Sequence, residues 1–233
     1  MRIICIADLH GEAWRLKQLR PEIDRADLLL FAGDLTDFGG RKDLDALLEI
    51  LSDSPVPMAA VAGNCDRPGV GKGLEEAGLS VDGYARTFPI GQGHVNVIGS
   101  GGAILRSGMT PNEKKEADLA SALEKGLRSF DTQADVVGPL IVLTHNPPWG
   151  SQSDLRYGDH VGSRALRQVL DARSPTLWIS GHIHESRGSG ICGSTLVVNP
   201  GPLHDGYYAL VYLEEGAGTM PRADLRCLPP HEQ

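Results

Sequence analysis

Seven side chains with oxygen or nitrogen donor atoms stand where apolar runs of the sequence give out: Asp8 and His10, Asp34, Asn64, His145, and His182 with His184. Carboxylate, amide oxygen and neutral imidazole together suit divalent ions of the Mn, Fe, Zn, Co or Ni kind, and seven donors exceed what one tetrahedral zinc accepts. The set therefore points to two metal ions sharing a carboxylate. Two such ions about 3.5 to 4 Å apart stabilise the attacking and leaving oxygens of an in-line displacement at phosphorus. They also acidify a bridging water, so that hydroxide is available at neutral pH to attack phosphorus. Hydrolysis of a phosphoester is the chemistry this donor set serves. Each residue alone has a plainer explanation: Asp8 or Asp34 can cap a helix, Asn64 can hold a turn, and His145 can bond to the backbone. Their recurrence at successive strand ends is what those explanations do not cover.

The elements that must carry these donors are visible as apolar runs. Residues 3–7, 28–32, 58–62, 140–144 and 177–180 have strand length and are apolar but for Thr144 and Ser180 at the ends of the last two, as strands covered on both faces are. The spacing predicts a helix over 12–19 that stops near Pro21, and Leu44, Leu47, Leu48 and Leu51 recur at helical spacing. Strands separated by helices make βαβ units of a largely parallel sheet, whose ligand site lies beyond the carboxyl ends of the strands. Asp8, His10, Asp34 and Asn64 all fall there. His182 and His184 follow the run at 177–180, and in an extended segment positions i and i+2 face the same way, which aims both imidazoles into one site.

Further along, a short helix is expected over 71–78, and strands over 84–88 and 95–98 joined by a turn containing Gly91 and Gly93. A solvated helix is expected over 111–130, with Pro111 near its start. Ser163 reads as the N-cap of a helix carrying Leu166, Val169 and Leu170. Residues 195–198, 207–213 and 222–228, separated by Gly-rich turns, read as a largely antiparallel sheet, followed by a loose polar terminus.

A chain of 233 residues suits one domain, 1–233, and its 41% apolar and 22% charged residues are those of a globular protein. No apolar run reaches the roughly 20 residues of a membrane-spanning helix, and Met1 leads into the first strand with no room for a signal peptide, so a cytoplasmic location is expected. Cys5, Cys65, Cys192 and Cys227 are scattered and form no Cys-x-x-Cys, which argues against a zinc ribbon or a disulfide framework and for small core residues. The net charge of −8 disfavours broad capture of nucleic acid, but metal-bound carboxylates are neutralised locally and leave room for a small phosphorylated substrate.

Asp8-x-His10, Gly33-Asp34-x-x-Asp37, Gly63-Asn64-Cys65-Asp66, Thr144-His145 and Gly181-His182-x-His184, in this order, resemble the motif set of the calcineurin-like metallophosphoesterases. The resemblance spans residues 8–184. It implies an α/β fold, a four-layer αββα sandwich with two central mixed sheets, and metal-dependent hydrolysis of a phosphoric ester. It also implies a division of the donors: Asp8, His10 and His184 on one metal, Asn64, His145 and His182 on the other, with Asp34 bridging and manganese the expected ion. Asp34, Asn64 and His145 would then serve catalysis directly.

One position departs from the pattern of the family's protein phosphatases and many nucleases, where a His thought to protonate the leaving group follows the motif Asn. Here that residue is Cys65, as in some bacterial and archaeal phosphodiesterase-like members. The departure points away from a protein phosphatase and towards a phosphodiesterase, with a phosphomonoesterase or nucleotide phosphatase as the alternative. Cys65 is either the acid or an inert thiol. A non-catalytic scaffold on the same fold is the reading from another class, and retention of all seven donors argues against it. The segments 145–163 and Asn199-Pro200-Gly201 resemble a small subgroup of predicted phosphoesterases. In and beside these segments, His160 and His204 are candidate substrate contacts or proton donors, and the N–H groups that begin the Ser163 helix can hold a phosphate oxygen. Independently of the resemblance, Ser100-Gly101-Gly102 after the strand at 95–98 can let the backbone at Gly102 approach a substrate.

Overall fold

The computed structural model describes residues 1–90, 93–106, 108–131, 138–214 and 219–230. In chain order its longer strands begin with β1 (Arg2–Ile6), β2 (Leu28–Ala32), β3 (Met58–Val61), β4 (Ala85–Ile90) and β5 (Gly93–Ser100). They continue with β6 (Leu140–Thr144), β7 (Leu177–Ile179), β8 (Gly188–Cys192), β9 (Thr195–Asn199), β10 (Tyr207–Tyr212) and β11 (Arg222–Cys227). The helices are α1 (Ala13–Ile23), α2 (Arg41–Leu51), α3 (Pro68–Glu76), α4 (Glu116–Asp131) and α5 (Arg164–Arg173).

Two mixed sheets result, ordered β11-β10-β1-β2-β3 and β8-β9-β7-β6-β5-β4. The strands β1, β2 and β3 run parallel, as do β5, β6, β7 and β9, and the antiparallel pairings are β1–β10 and β10–β11 in the first sheet and β4–β5 and β8–β9 in the second. The unbroken apolar runs are explained by double burial. Ile3, Cys5, Leu30 and Ala32 of the first sheet meet Val97, Ile141, Leu143 and Ile179 of the second in one core. On the outer face of the first sheet, Ile4, Ile6, Leu29 and Phe31 pack against Leu16 and Leu19 of α1, Leu44 of α2 and Leu74 of α3. On the outer face of the second, Ile98, Val142 and Trp178 pack against Leu119 and Leu123 of α4 and Leu166 and Leu170 of α5. The layers are therefore α, β, β, α, as expected. Among the described residues no helix is long and apolar enough to cross a membrane.

Several local expectations are corrected. Helix α1 does not stop at Pro21 but continues to Ile23; near the last turn proline forfeits a single backbone bond, and burial of Ile23 against the sheet outweighs it. The 195–228 tail does not form one antiparallel sheet: β9 lies parallel to β7 in the second sheet, while β10 and β11 cross to the edge of the first. Of the cysteines, Cys5 and Cys65 are buried, Cys192 is partly exposed and Cys227 is exposed. Gly91 and the terminal residues 231–233 lie outside the described residues.

Helix α4 begins at Glu116, not near Pro111, because the residues before it are engaged elsewhere. The Glu113 carboxylate accepts the backbone N–H groups of Arg106, Gly108, Met109 and Thr110 within 3.2 Å, and the Thr110 hydroxyl at 3.0 Å. Burial raises the pKa of this carboxyl, but the donated hydrogen bonds outweigh that and bring it from 4.5 to about 2. A depressed carboxyl contributes stability that is complete above its unfolded value and fades as pH falls through its folded one. Denaturant unfolding of Glu113→Gln beside the parent chain should give a stability gap that is constant above about pH 5 and narrows between pH 4.5 and 2. A gap unchanged at pH 2.5 contradicts this account of the loop.

Candidate metal centre

Beyond β1 and β2 the chains stay tied together: Asp8 N–H donates to Gly33 O, His10 N–H to Asp34 O and Gly11 N–H to Leu35 O, each at 3.0 Å. The backbone there is strained. Asp8, His10, Asp34 and His182 have φ of 53°, 48°, 50° and 69°, a left-handed conformation that costs a non-glycine residue about 1 kcal/mol or more and gathers at functional sites. Four of the seven expected donors are thus held where an unconstrained chain would not leave them. His182 and His184 are corrected in this respect, since β7 ends at Ile179 and the pair is not extended. His182 is left-handed and His184 opens a 3-10 turn (His184–Ser186), so the two imidazoles part company.

The donors fall into two groups joined by Asp34. His10 and His184 pack edge to face with ring centroids 5.4 Å apart, and His184 Nε2 is 3.5 Å from Asp8 Oδ1. On the other side the His145 and His182 rings lie 5.0 Å apart, and His145 Nε2 is 2.8 Å from Asn64 Oδ1. Asp34 Oδ2 faces both groups, 3.8 Å from His10 Nε2 and 3.4 Å from His145 Nε2, while its Oδ1 accepts the Cys65 N–H at 2.8 Å. All seven expected donors are brought together in this way.

The electrostatics suit cations. Burial raises the Asp34 carboxyl, but the charge and hydrogen bond of His145, the Cys65 N–H and the charge of His10 hold it well below the usual carboxylate range. Burial lowers the His145 imidazole, yet Asp34 beside it, then the Asp8 charge and the Ala32 carbonyl, carry it up to about 9. That nitrogen facing two oxygens is a place for positive charge. Burial and the neighbouring His145 push His182 down to about 4, which leaves a neutral ring with a lone pair to give at pH 7. Among the described residues His10 Nε2 is buried without a hydrogen-bond partner, an expensive state for a polar atom unless a ligand satisfies it. The residues present fit divalent ions by donor type as well. Among the described residues, Asp8, Asp34 and His145 form one group whose donor atoms lie within 4.8 Å of one another, and His10, Asp34 and Cys65 form another.

Burial first, then the charges of Asp34, Asp66 and Asp37, push the Cys65 thiol up, so it is a poor proton donor at neutral pH. The other expected contacts divide. His204 joins the cluster, with its ring 5.3 Å from both His10 and His184. Gly102 does not offer its N–H, which donates to Ala62 O at 2.8 Å. Ser163 is fully buried as the α5 cap; its Oγ accepts Leu166 N–H, and the Glu116 carboxylate takes the Ala165 N–H and the Ser163 hydroxyl. The helix start expected to hold a phosphate therefore holds a carboxylate of the chain itself. His160 sits apart from the cluster, its Nδ1 2.7 Å from the buried Asp154 and its ring against Trp149.

Three positioning residues escaped sequence reasoning. Asp66 accepts Gly63, Leu35 and Thr36 N–H groups and the Thr36 hydroxyl, fixing the two loops that flank Asp34. Asn112 donates from Nδ2 to Gly63 O at 2.9 Å and from its backbone to Asn64 O. Asn199 donates to Ile183 O, between the two histidines. Asp66 stood inside a recognised motif; for the long-range bond of Asn112 the sequence carries no local signal.

Comparison with known proteins follows the same lines. A family model described as calcineurin-like phosphoesterase matches residues 1–186. An uncharacterized protein of Methanocaldococcus jannaschii is 31% identical over 207 residues, spanning 87% of this chain and 88% of its own. Among solved structures, a Thermus thermophilus protein superposes with a TM-score of 0.72 at 20% identity, covering 98% of this chain and 99% of its own. A dimetal phosphatase from Danio rerio superposes with a TM-score of 0.60 at 17% identity, covering 92% and 93%. At these identities the two superpositions are likenesses of fold.

Proposed function

The chain belongs to the calcineurin-like phosphoesterase family of metal-dependent phosphoric ester hydrolases, and on that footing we propose that it is a dinuclear phosphodiesterase of small diesters. Asp8, His10 and His184 would hold one ion, Asn64, His145 and His182 the other, with Asp34 shared and manganese as the activating metal. The observation that carries this reading is the placement of Asp34 Oδ2 between His10 and His145. When bound, two divalent ions supply Lewis acidity at the phosphoryl oxygens and acidify a water at neutral pH.

The chain's own residues do the rest. Asp34 stays ionised at neutral pH, ready to be shared. The His145 Nδ1–H donates to Ala32 O at 2.8 Å, which fixes the tautomer and turns Nε2 inward. Burial of the Asp8 and Asp34 carboxylates keeps their charges out of bulk water, where attraction to the cations they would hold would be weakened. A diester is favoured because position 65 carries a thiol where the family's protein phosphatases carry an imidazole. Four cysteines without a disulfide support a cytoplasmic location.

Turnover of bis-p-nitrophenyl phosphate and p-nitrophenyl phosphate by the manganese-loaded protein tests the diester reading. The expected result is a kcat/KM at least about tenfold higher for the diester, a margin of roughly 1.4 kcal/mol in transition-state binding. A preference for the monoester would replace this reading with a phosphomonoesterase.

A further inference from the structure

We infer that His204 is an eighth protein donor to the metal centre, on the Asp8 side, where it makes the third imidazole beside His10 and His184. The inference rests on the two-ion reading and extends it. Each of the three residues offers a donor atom within 4.8 Å of the others. Their rings form a closed triangle, with centroid separations of 5.4 Å for His10–His184 and 5.3 Å for His10–His204 and for His184–His204. His10 Nε2, buried and without a hydrogen-bond partner among the described residues, belongs to this triangle, and it indicates that the imidazoles converge on something other than one another.

The orientation of His204 is that of a ligand. Its Nδ1–H donates to Asp8 O at 3.1 Å, as the Nδ1–H of His145 donates to Ala32 O. A backbone carbonyl bonded to one ring nitrogen is the usual support of a metal-binding histidine, because it fixes the tautomer and leaves the other nitrogen unprotonated. The backbone is pinned as well, with His204 N–H donating to Asp8 O at 3.2 Å and Arg15 Nε donating to His204 O at 3.1 Å. The neighbouring carboxylate, Asp205 Oδ1, is 3.4 Å from His204 Nε2 and is largely exposed. Three imidazoles beside Asp8 and the shared Asp34 give this side one more nitrogen donor than the other. Nitrogen donors suit zinc or iron better than manganese, so the Asp8 side is the more zinc-selective of the two.

Calorimetric titration of chelator-stripped protein with zinc tests this. The parent chain is expected to bind two equivalents. His204→Ala and His204→Asn should each weaken one of them by at least about tenfold, the low end for a residue that supports a metal site, and leave the other unchanged. The asparagine variant keeps a donor for Asp8 O while removing Nε2, and circular dichroism checks that both variants fold. His160→Ala should bind as the parent does. An unchanged isotherm in His204→Ala, or recovery of parental binding in His204→Asn, overturns the inference while the two-ion reading stands. Fewer than two equivalents in the parent chain overturns both.

Discussion

Asp34→Asn should lower kcat/KM for the preferred ester by on the order of 10³-fold or more, while the chain keeps its fold. The substitution preserves the size of the side chain, and its amide oxygen can still accept the Cys65 N–H that Asp34 Oδ1 accepts at 2.8 Å. What it removes is the charge at Oδ2, the atom that faces His10 on one side and His145 on the other. Charge stabilisation by a metal site amounts to several kcal/mol, and each 1.36 kcal/mol is about a tenfold change in rate. A loss of three decades therefore follows if the shared donor is needed to hold both ions. His145→Ala should fall as far, since it empties a fully buried position between Ala32 O and Asn64 Oδ1. Activity within tenfold of the parent in both variants, with intact circular dichroism, contradicts the mechanism.

The largest structural effect is expected from Gly63→Ala. A Cβ at Gly63 would lie 2.0 Å from Asp34 Oδ1 and 2.1 Å from Asp34 N, well inside any tolerated contact. Neither partner has room to yield. Gly63 N–H is bonded to Asp66 and Gly63 O to Asn112, while Asp34 is strained at φ 50° and bonded to Cys65. Overpacking of this kind costs about 3 kcal/mol, at the upper end of the usual range. In a chain of this size each kcal/mol shifts Tm by about 2 to 4 °C, so the melting point should drop by roughly 6 to 12 °C. The comparison is Gly71→Ala in α3, where the added methyl meets only Ala62 Cβ at 4.0 Å. Replacing a helical glycine there should raise stability by about 0.5 to 1 kcal/mol. Thermal melts of the two variants that fail to separate in this order would show that the Gly63 contact is relieved by movement.

The seven donors and the strands that carry them were readable from the sequence because doubly buried strands need long apolar runs, and the polar residues that end such runs stand out. The His182-x-His184 pair joins the cluster by a different path from the one expected. Alternation along a strand sends both rings the same way, whereas the left-handed turn at His182 sends one towards His145 and the other towards His10. Ser163 was readable as a helix cap but not as a filled one, because the carboxylate that occupies its N–H groups comes from Glu116, 47 positions away. Asn112 was invisible for the same reason, and Asn199, though it stood in a recognised segment, had no readable role: each acts through a side-chain bond to a distant carbonyl. His204 was noticed as a possible substrate contact, but its company with His10 and His184 depends on the loop after β9 docking against the end of β1, through Leu203 N–H to Ala7 O.

The central claim is that one chain holds two metal ions with Asp34 between them, and metal counting tests it most directly. After chelation, reconstitution with manganese and removal of free ion, the parent chain should retain two ions and Asp34→Asn no more than one. Fewer than two ions per parent chain, or two in both proteins, would contradict the account.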